Sequence, residues 1–179
     1  MKMCIIGGFP LPNESPEAGP DNVVYNLVKG IINQNSDIYI DIVTIRNDVN
    51  KAFIDERFPD VRVYYLPYLK YLSRSFGDPI IIKKFLKKHD YDLVHAHYPI
   101  ALAKVMDMST PKILTLHGIF QRERNFVKNP LTRLFYHDYN TYMLKKILPK
   151  LDGFVAISPY VIDELKEMGV HDKMQNIFQ

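Results

Sequence analysis

The stretch "MKMCIIGGFPLPNESPEAGPDNVVYNLVKGIIN", residues 1–33, decides the fold. A continuous apolar run over Met3–Gly7 stops at Gly7-Gly8. A loop rich in Pro, Asn, Glu and Ser follows and is broken again at Gly19-Pro20. Val24, Leu27, Val28 and Ile31 then recur at spacings of three and four across Asp21–Asn33. A continuous run reads as a strand buried on both faces, and the recurrence reads as an amphipathic helix. Strand, glycine turn and helix open a βα unit. Its glycines let the main chain approach a ligand and its helix N-terminus offers N–H donors to an anion, although ordinary strand-to-helix turns use the same glycines. Neither G-x-x-x-x-G-K-[ST] nor a G-x-G-x-x-G opening a helix is present, which removes both standard phosphate fingerprints.

The same alternation continues along the chain. Strands are predicted over Ile38–Ile45, Val61–Leu66, Leu93–His97, Lys112–His117 and Phe154–Ile157. Helices are predicted over Pro79–Lys88, Pro99–Met106, Pro130–Leu148 and Ser158–Met168. In the last, Ser158 suits the N-cap, Pro159 the first turn and Gly169 the position after the end. Asn47–Phe58 is the least regular zone. The βα repeat predicts an α/β domain, doubly wound about a mostly parallel sheet. The chain's 179 residues, 47% of them hydrophobic, suit one core and one domain over 1–179. The tail "DKMQNIFQ" reads as the beginning of a further strand, so more chain is expected after it.

Composition narrows the function classes. Charged residues make up 24% and the net charge is +3, too little for a nucleic-acid footprint, so no nucleic-acid partner is expected. Cys4 is the only cysteine, which excludes an internal disulfide and fits a reducing, cytoplasmic setting. The apolar runs are too short to span a bilayer, and the N-terminus has no leader pattern. The segments at residues 64–76 and 121–150 interleave basic residues, among them Arg122, Arg124, Lys128 and Arg133, with Phe and Tyr. Such surfaces can lie against the inner, anionic face of a membrane, or they can be core aromatics under snorkelling cations.

In an open α/β sheet, ligands bind beyond the carboxyl ends of the strands. Four features land there: the Gly7–Gly19 loop, His95 and His97 closing "DLVHAH", His117 and Gly118 closing "ILTLHG", and Ser158 closing "FVAIS". His117 is the strongest single candidate, because its imidazole suits hydrogen bonding or proton transfer to a hydroxyl. His95 and His97 are read as pointing to opposite faces of their strand. His95 suits a core histidine better than a ligand contact, His97 at the strand end suits a site role and a structural role equally, and no metal site is expected from them. N-capping alone accounts for Ser158. "AISPY" is not a nucleophile elbow.

Taken in order, the glycine loop with "AGPDNVVYNLVKGI", "YDLVHAHYPIALA", "PKILTLHGIF" and "LDGFVAISPYVIDELKEMGVHDKMQNI" resemble the N-terminal, acceptor-side domain of a family 4 retaining glycosyltransferase. The resemblance covers nearly the whole chain. It implies a Rossmann-like single lobe of a GT-B architecture, facing a second lobe that holds most of the nucleotide-sugar donor. It implies that Gly8 and Gly19 bring backbone N–H groups to a phosphate, with Pro20-Asp21 departing from the family's pattern. It implies that His117 faces the transferred sugar, and that His97, Gly118, Ser158 and Asp152 frame the substrate. The partners implied are a nucleotide sugar, a glycan, lipid or small-molecule acceptor, and the C-terminal lobe in the same or a separate chain. No metal and no cofactor are implied. Catalysis in this class comes mostly from stabilising the departing diphosphate. This lobe offers no evident Lys or Arg for that, so residues 1–179 alone are expected to be inactive. The alternatives are a non-catalytic interaction domain with a partner chain, or another GT-B-like enzyme such as a nucleotide-sugar epimerase.

Overall fold

The computed structural model describes residues 1–16, 19–34, 37–118, 126–134 and 139–167. Seven strands, β1 (Lys2–Ile6), β2 (Tyr39–Arg46), β3 (Phe53–Phe58), β4 (Val61–Pro67), β5 (Leu93–Ala96), β6 (Lys112–Leu116) and β7 (Gly153–Ala156), form one sheet in the order β3-β4-β2-β1-β5-β6-β7. All pairings are parallel except that of β3 with β4. Without β3, the order is that of a doubly wound dinucleotide-type fold. The helices are α1 (Pro20–Asn33), α2 (Arg74–Leu86), α3 (Tyr139–Ile147) and α4 (Pro159–Glu167).

Strand alternation divides the core between the two faces. Met3 and Ile5 of β1, with Ile40, Ile42, Val61 and Val63, pack under Val24 and Val28 of α1. Cys4 and Ile6, with Val43, Val94, Leu114 and Leu116, pack under Ile82 of α2, Leu144 of α3 and Leu165 of α4. α1 therefore covers one face, and the other three helices cover the opposite one. The chain leaves β1 towards β2 in one direction and returns to its other side at β5. This opens a crevice at the carboxyl ends of β1 and β5.

Four expectations are corrected. Asn47–Phe58 contains β3, an edge strand whose Asp55, Glu56 and Arg57 break the buried pattern. Charge on an edge discourages pairing with other chains. α2 starts five residues before Pro79 and holds that proline inside it. Pro99–Met106 supplies only a 3-10 turn over Pro99–Leu102. Within Pro130–Leu148, the described residues form one turn at Pro130–Thr132, capped by Asn129, and then α3. Residues 168–179, with Gly169 and the tail, lie outside the described residues, as do Arg122 and Arg124. The Lys70–Leu72 turn is exposed, with Tyr71 at 99%.

Two glycines of the α1 region separate backbone conformation from packing. A Cβ added at Gly19 or at Gly30 meets nothing within 4 Å. Gly19 has φ 93° and ψ −151°, a region essentially reserved for glycine, whereas Gly30 is helical and exposed. Gly19→Ala is expected to destabilise the protein by about 1–3 kcal/mol. Gly30→Ala is expected to stabilise it by about 0.5–1 kcal/mol. Urea denaturation of both variants checks the opposite signs.

Candidate functional site

A cleft of about 940 Å³ lies at the carboxyl ends of β1, β2, β5 and β6. Gly8, His97, His117 and Gly118 all line it; Gly19 and Ser158 do not. Ser158 Oγ instead accepts a hydrogen bond from Val161 N at 3.3 Å, as an N-cap does. Asp152 is at the other end of the sheet, before β7, where its carboxylate accepts from Lys112 N at 2.8 Å. It therefore does not frame the substrate. A separate hollow of about 590 Å³ lies at the amino ends of the strands, beside Met1, Asp60 and Asp92.

The wall of the cleft begins where β1 ends. Gly7 N donates to Val43 O at 3.2 Å and His97 N donates to Ile6 O at 2.8 Å, so the strand ends are held together. A Cβ on Gly7 would come within 2.9 Å of Val24 and 3.3 Å of His97 Cβ. Glycine here permits α1, β1 and β5 to close on one point. The loop that follows is held by its carbonyls. Arg57 of β3 donates to Leu11 O at 3.0 Å and to Pro10 O at 2.6 Å. Tyr65 of β4 donates to Pro10 O as well, and Arg46 donates to Phe9 O at 3.3 Å. At Gly8, the carboxylate of Asp21 occupies the space a Cβ would take. The first turn of α1 thus already faces a negative side chain, which the helix dipole favours.

Four polar side chains form the floor beside this loop. β5 and β6 are parallel, with His95 opposite Ile113, and each histidine of the β5 end reaches two residues further along the β6 end. His95 Nε2 lies 2.7 Å from Thr115 Oγ1, and His97 Nδ1 lies 3.1 Å from His117 Nε2. The rings of His95 and His97 are 4.6 Å apart, and those of His97 and His117 are 5.3 Å apart. The expectation that His95 and His97 face opposite sides is wrong. Residues two apart on a strand share a face, and here they stack. The same rule, applied to Thr115 and His117, would have found the whole group.

Burial makes this group neutral. His95 is 7% exposed and His97 4%. Loss of hydration, helped by the neighbouring imidazoles, holds His95 down to about 4 and His97 down to about 3. His117 is lowered too, by burial. Among the described residues, no cluster of three His, Cys, Asp or Glu side chains is arranged to hold a metal ion.

The cations lining the cleft are already paired. Arg46 makes a two-pronged contact with Asp48, at 2.8 and 2.6 Å, and lies 3.2 Å from Glu14. Arg74 Nε lies 3.2 Å from Asp78, a carboxylate 1% exposed whose pKa burial raises despite that arginine. Sequence reading singled out neither arginine, nor Asp78, nor Arg57. Arg46 and Arg57 reach the carbonyls of the loop after β1 from distant segments, which no local spacing carries, whereas Arg74 and Asp78 are an i,i+4 pair of α2 that lies before the expected start of that helix at Pro79.

The model of Glycosyltransferase Family 4 matches residues 18–177. The chain belongs to that family. No curated protein matches it. Among solved structures, this family 4 chain is similar to sucrose-phosphate synthase from Thermosynechococcus elongatus, with TM-score 0.71 and 18% identity over 93% of this chain and 44% of that one. It is similar also to α,α-trehalose 6-phosphate synthase from Burkholderia multivorans, with TM-score 0.55 and 12% identity over 94% and 43%. A further match is a structure from E. coli described as trehalose-6-phosphate bound with UDP-2-fluoro glucose, with TM-score 0.54 and 8% identity over 94% and 43%. At these identities the likeness is one of fold, and the chain spans less than half the length of these three chains. No helix among the described residues is long and apolar enough to cross a membrane.

The buried histidines give the fold a dependence on pH. The unfolded chain binds protons at histidine below about pH 6.5, while folded His95 and His97 resist protonation until about pH 4 and 3. Their contribution is fully present above about pH 6.5 and is lost as pH falls towards those values. Stability is expected to drop by up to about 1.4 kcal/mol per pH unit for each histidine across that window. Denaturation midpoints measured from pH 7 down to 4 check this, against a His95→Gln variant with a shallower slope.

Proposed function

We propose that this lobe is the acceptor-binding half of a retaining glycosyltransferase, which moves a sugar from a nucleotide-sugar donor to an acceptor hydroxyl. The observation that carries the reading is the meeting of the Gly7-Gly8 turn with the His97–His117 pair in one cleft at the switch point of the sheet, in a chain of family 4. In this reading, the loop backbone at Gly8 and the Gly118 turn shape the seat of the ligand, with Gly19 setting the entry into α1. His117 meets the sugar at the reacting end and is the one catalytic residue assigned to this lobe. His97 supports it from below. Ser158 holds the start of α4.

The charge pattern supports a division of labour between two lobes. Breaking the bond between sugar and diphosphate requires cations or preorganised donors on the departing group. Arg46 and Arg74 are already committed to carboxylates, and Asp21 places negative charge at the first turn of α1. Stabilisation of the diphosphate therefore falls to the facing lobe, in the same chain or in a partner. No metal or resident cofactor has a part in the scheme.

Residues 1–179 alone are expected to show no turnover of nucleotide sugars, and clear turnover contradicts this division. In the enzyme carrying both lobes, His117→Ala is expected to lower kcat/KM by about 10²–10³-fold, as the loss of one placed hydrogen-bond donor does elsewhere. Unchanged transfer by that variant, assayed with a panel of nucleotide sugars and hydroxyl acceptors, removes His117 from the mechanism.

A further inference from the structure

We propose that His97 is a positioning residue that fixes the tautomer of His117, so that His117 presents an N–H at Nδ1, and not a lone pair, to an oxygen atom of the ligand. The value of this to catalysis rests on the function proposed above; the tautomer itself does not.

One proton lies in the 3.1 Å contact between His97 Nδ1 and His117 Nε2. If His117 donated it, neutral His97 would carry its own proton on Nε2. That atom is buried and has no hydrogen-bond partner, so a buried N–H would be left orphaned. If His97 donates from Nδ1, its Nε2 holds only a lone pair. Orphaned buried N–H groups are the rarer defect in folded proteins, and an under-satisfied acceptor is better tolerated. A doubly protonated His97 is also disfavoured, because a cation would sit unhydrated between two further imidazoles, with ring centroids at 4.6 and 5.3 Å. The arrangement left is His97 donating through Nδ1 and His117 accepting through Nε2.

The proton of neutral His117 then resides on Nδ1. That nitrogen has no hydrogen-bond partner among the described residues, and His117 lines the cleft. It can donate to a hydroxyl or ring oxygen of a carbohydrate, and to an oxygen that gains negative charge during transfer. It cannot take a proton through Nε2 without breaking the contact with His97. His117 is thus a hydrogen-bond donor to the ligand and not a general base, and His97 is the reason. The packing that holds His97 in place is visible at Gly7, where even a methyl group would press on His97 Cβ and Val24.

Tautomers are read from long-range nitrogen–proton correlation spectra of the protein labelled on its histidine rings, at neutral pH. The expected result is His117 protonated on Nδ1 and unprotonated on Nε2. His97→Asn keeps an N–H near the place of Nδ1, so the signature of His117 should persist. In His97→Leu it should be lost, with His117 reverting to the Nε2–H form that an unconstrained imidazole side chain favours. A purely structural role for His97 would leave the tautomer unmoved. The proposal is overturned by wild-type His117 protonated on Nε2, by a charged His97 or His117 at neutral pH, or by an unchanged signature in His97→Leu. Should His97→Leu fail to fold, the wild-type and His97→Asn spectra decide. A confirmed tautomer, with no glycosyl transfer by the enzyme carrying both lobes, would count against the proposed function alone. Transfer with the other tautomer would count against this inference alone.

Discussion

β1 is hydrogen-bonded on both edges and packed on both faces, and the rest of the molecule is arranged around that confinement. Its neighbours, β2 and β5, are parallel to it, so its carboxyl end emerges between two other carboxyl ends. The chain has no room to leave except through a residue without a side chain, and Gly7 is that residue. Met3 and Ile5 bind α1 to one face, while Cys4 and Ile6 bind the sheet to the opposite helices. The crevice is a consequence of this wiring. The crossover through α1 leaves β1 for β2 on one side, the crossover through α2 brings the chain to β5 on the other, and nothing regular bridges the gap between them.

Order in the crevice is imposed from the periphery. The loop after β1 has few apolar anchors of its own beyond Phe9, and its shape comes from cations and a hydroxyl that reach its carbonyls. Arg57 and Tyr65 come from the β3–β4 hairpin, whose ring stack of Phe53 on Tyr65, at 4.6 Å, fixes the hairpin's register at that point. An edge strand exposed to water thus helps set the backbone of the central cleft. The floor is ordered differently, by neutral imidazoles, His95 paired with Thr115 and His97 with His117. A buried neutral pair avoids the desolvation a buried charge would suffer. It also leaves His117 able to direct a hydrogen bond at a ligand.

The parts of this structure legible in the sequence are those governed by local periodicity. Most of the other six strands announce themselves by near-continuous apolar runs, α1 by its spacing, and Ser158 by its place before Pro159. β3 was illegible because "FIDERF" is an exposed edge whose charges disrupt the pattern that identifies its neighbours. α2 was shortened because Pro79, which favours a first turn, sits here in the helix interior. At the site, Gly8, His97, His117 and Gly118 were found because strand ends collect ligands in this fold class. Their relation was missed through a misapplied alternation, although the same alternation puts His95, His97, Thr115 and His117 on one face. Arg46, Arg57 and Asp21 make contacts between separate segments, which only the folded sheet creates, and the Arg74–Asp78 pair falls in the part of α2 that precedes Pro79.

The central claim is that the crevice at the carboxyl ends of β1 and β5 receives the ligand. Amide chemical-shift mapping of the isotope-labelled protein, titrated with hexoses, hexose phosphates and nucleotide sugars, tests it most directly. The account predicts that a carbohydrate-bearing compound shifts the signals of Gly8, His97, His117 and Gly118 together and leaves Met1, Asp60 and Asp92 unmoved. Shifts gathered at those amino-end residues, or a crevice that no member of the series perturbs, would contradict it.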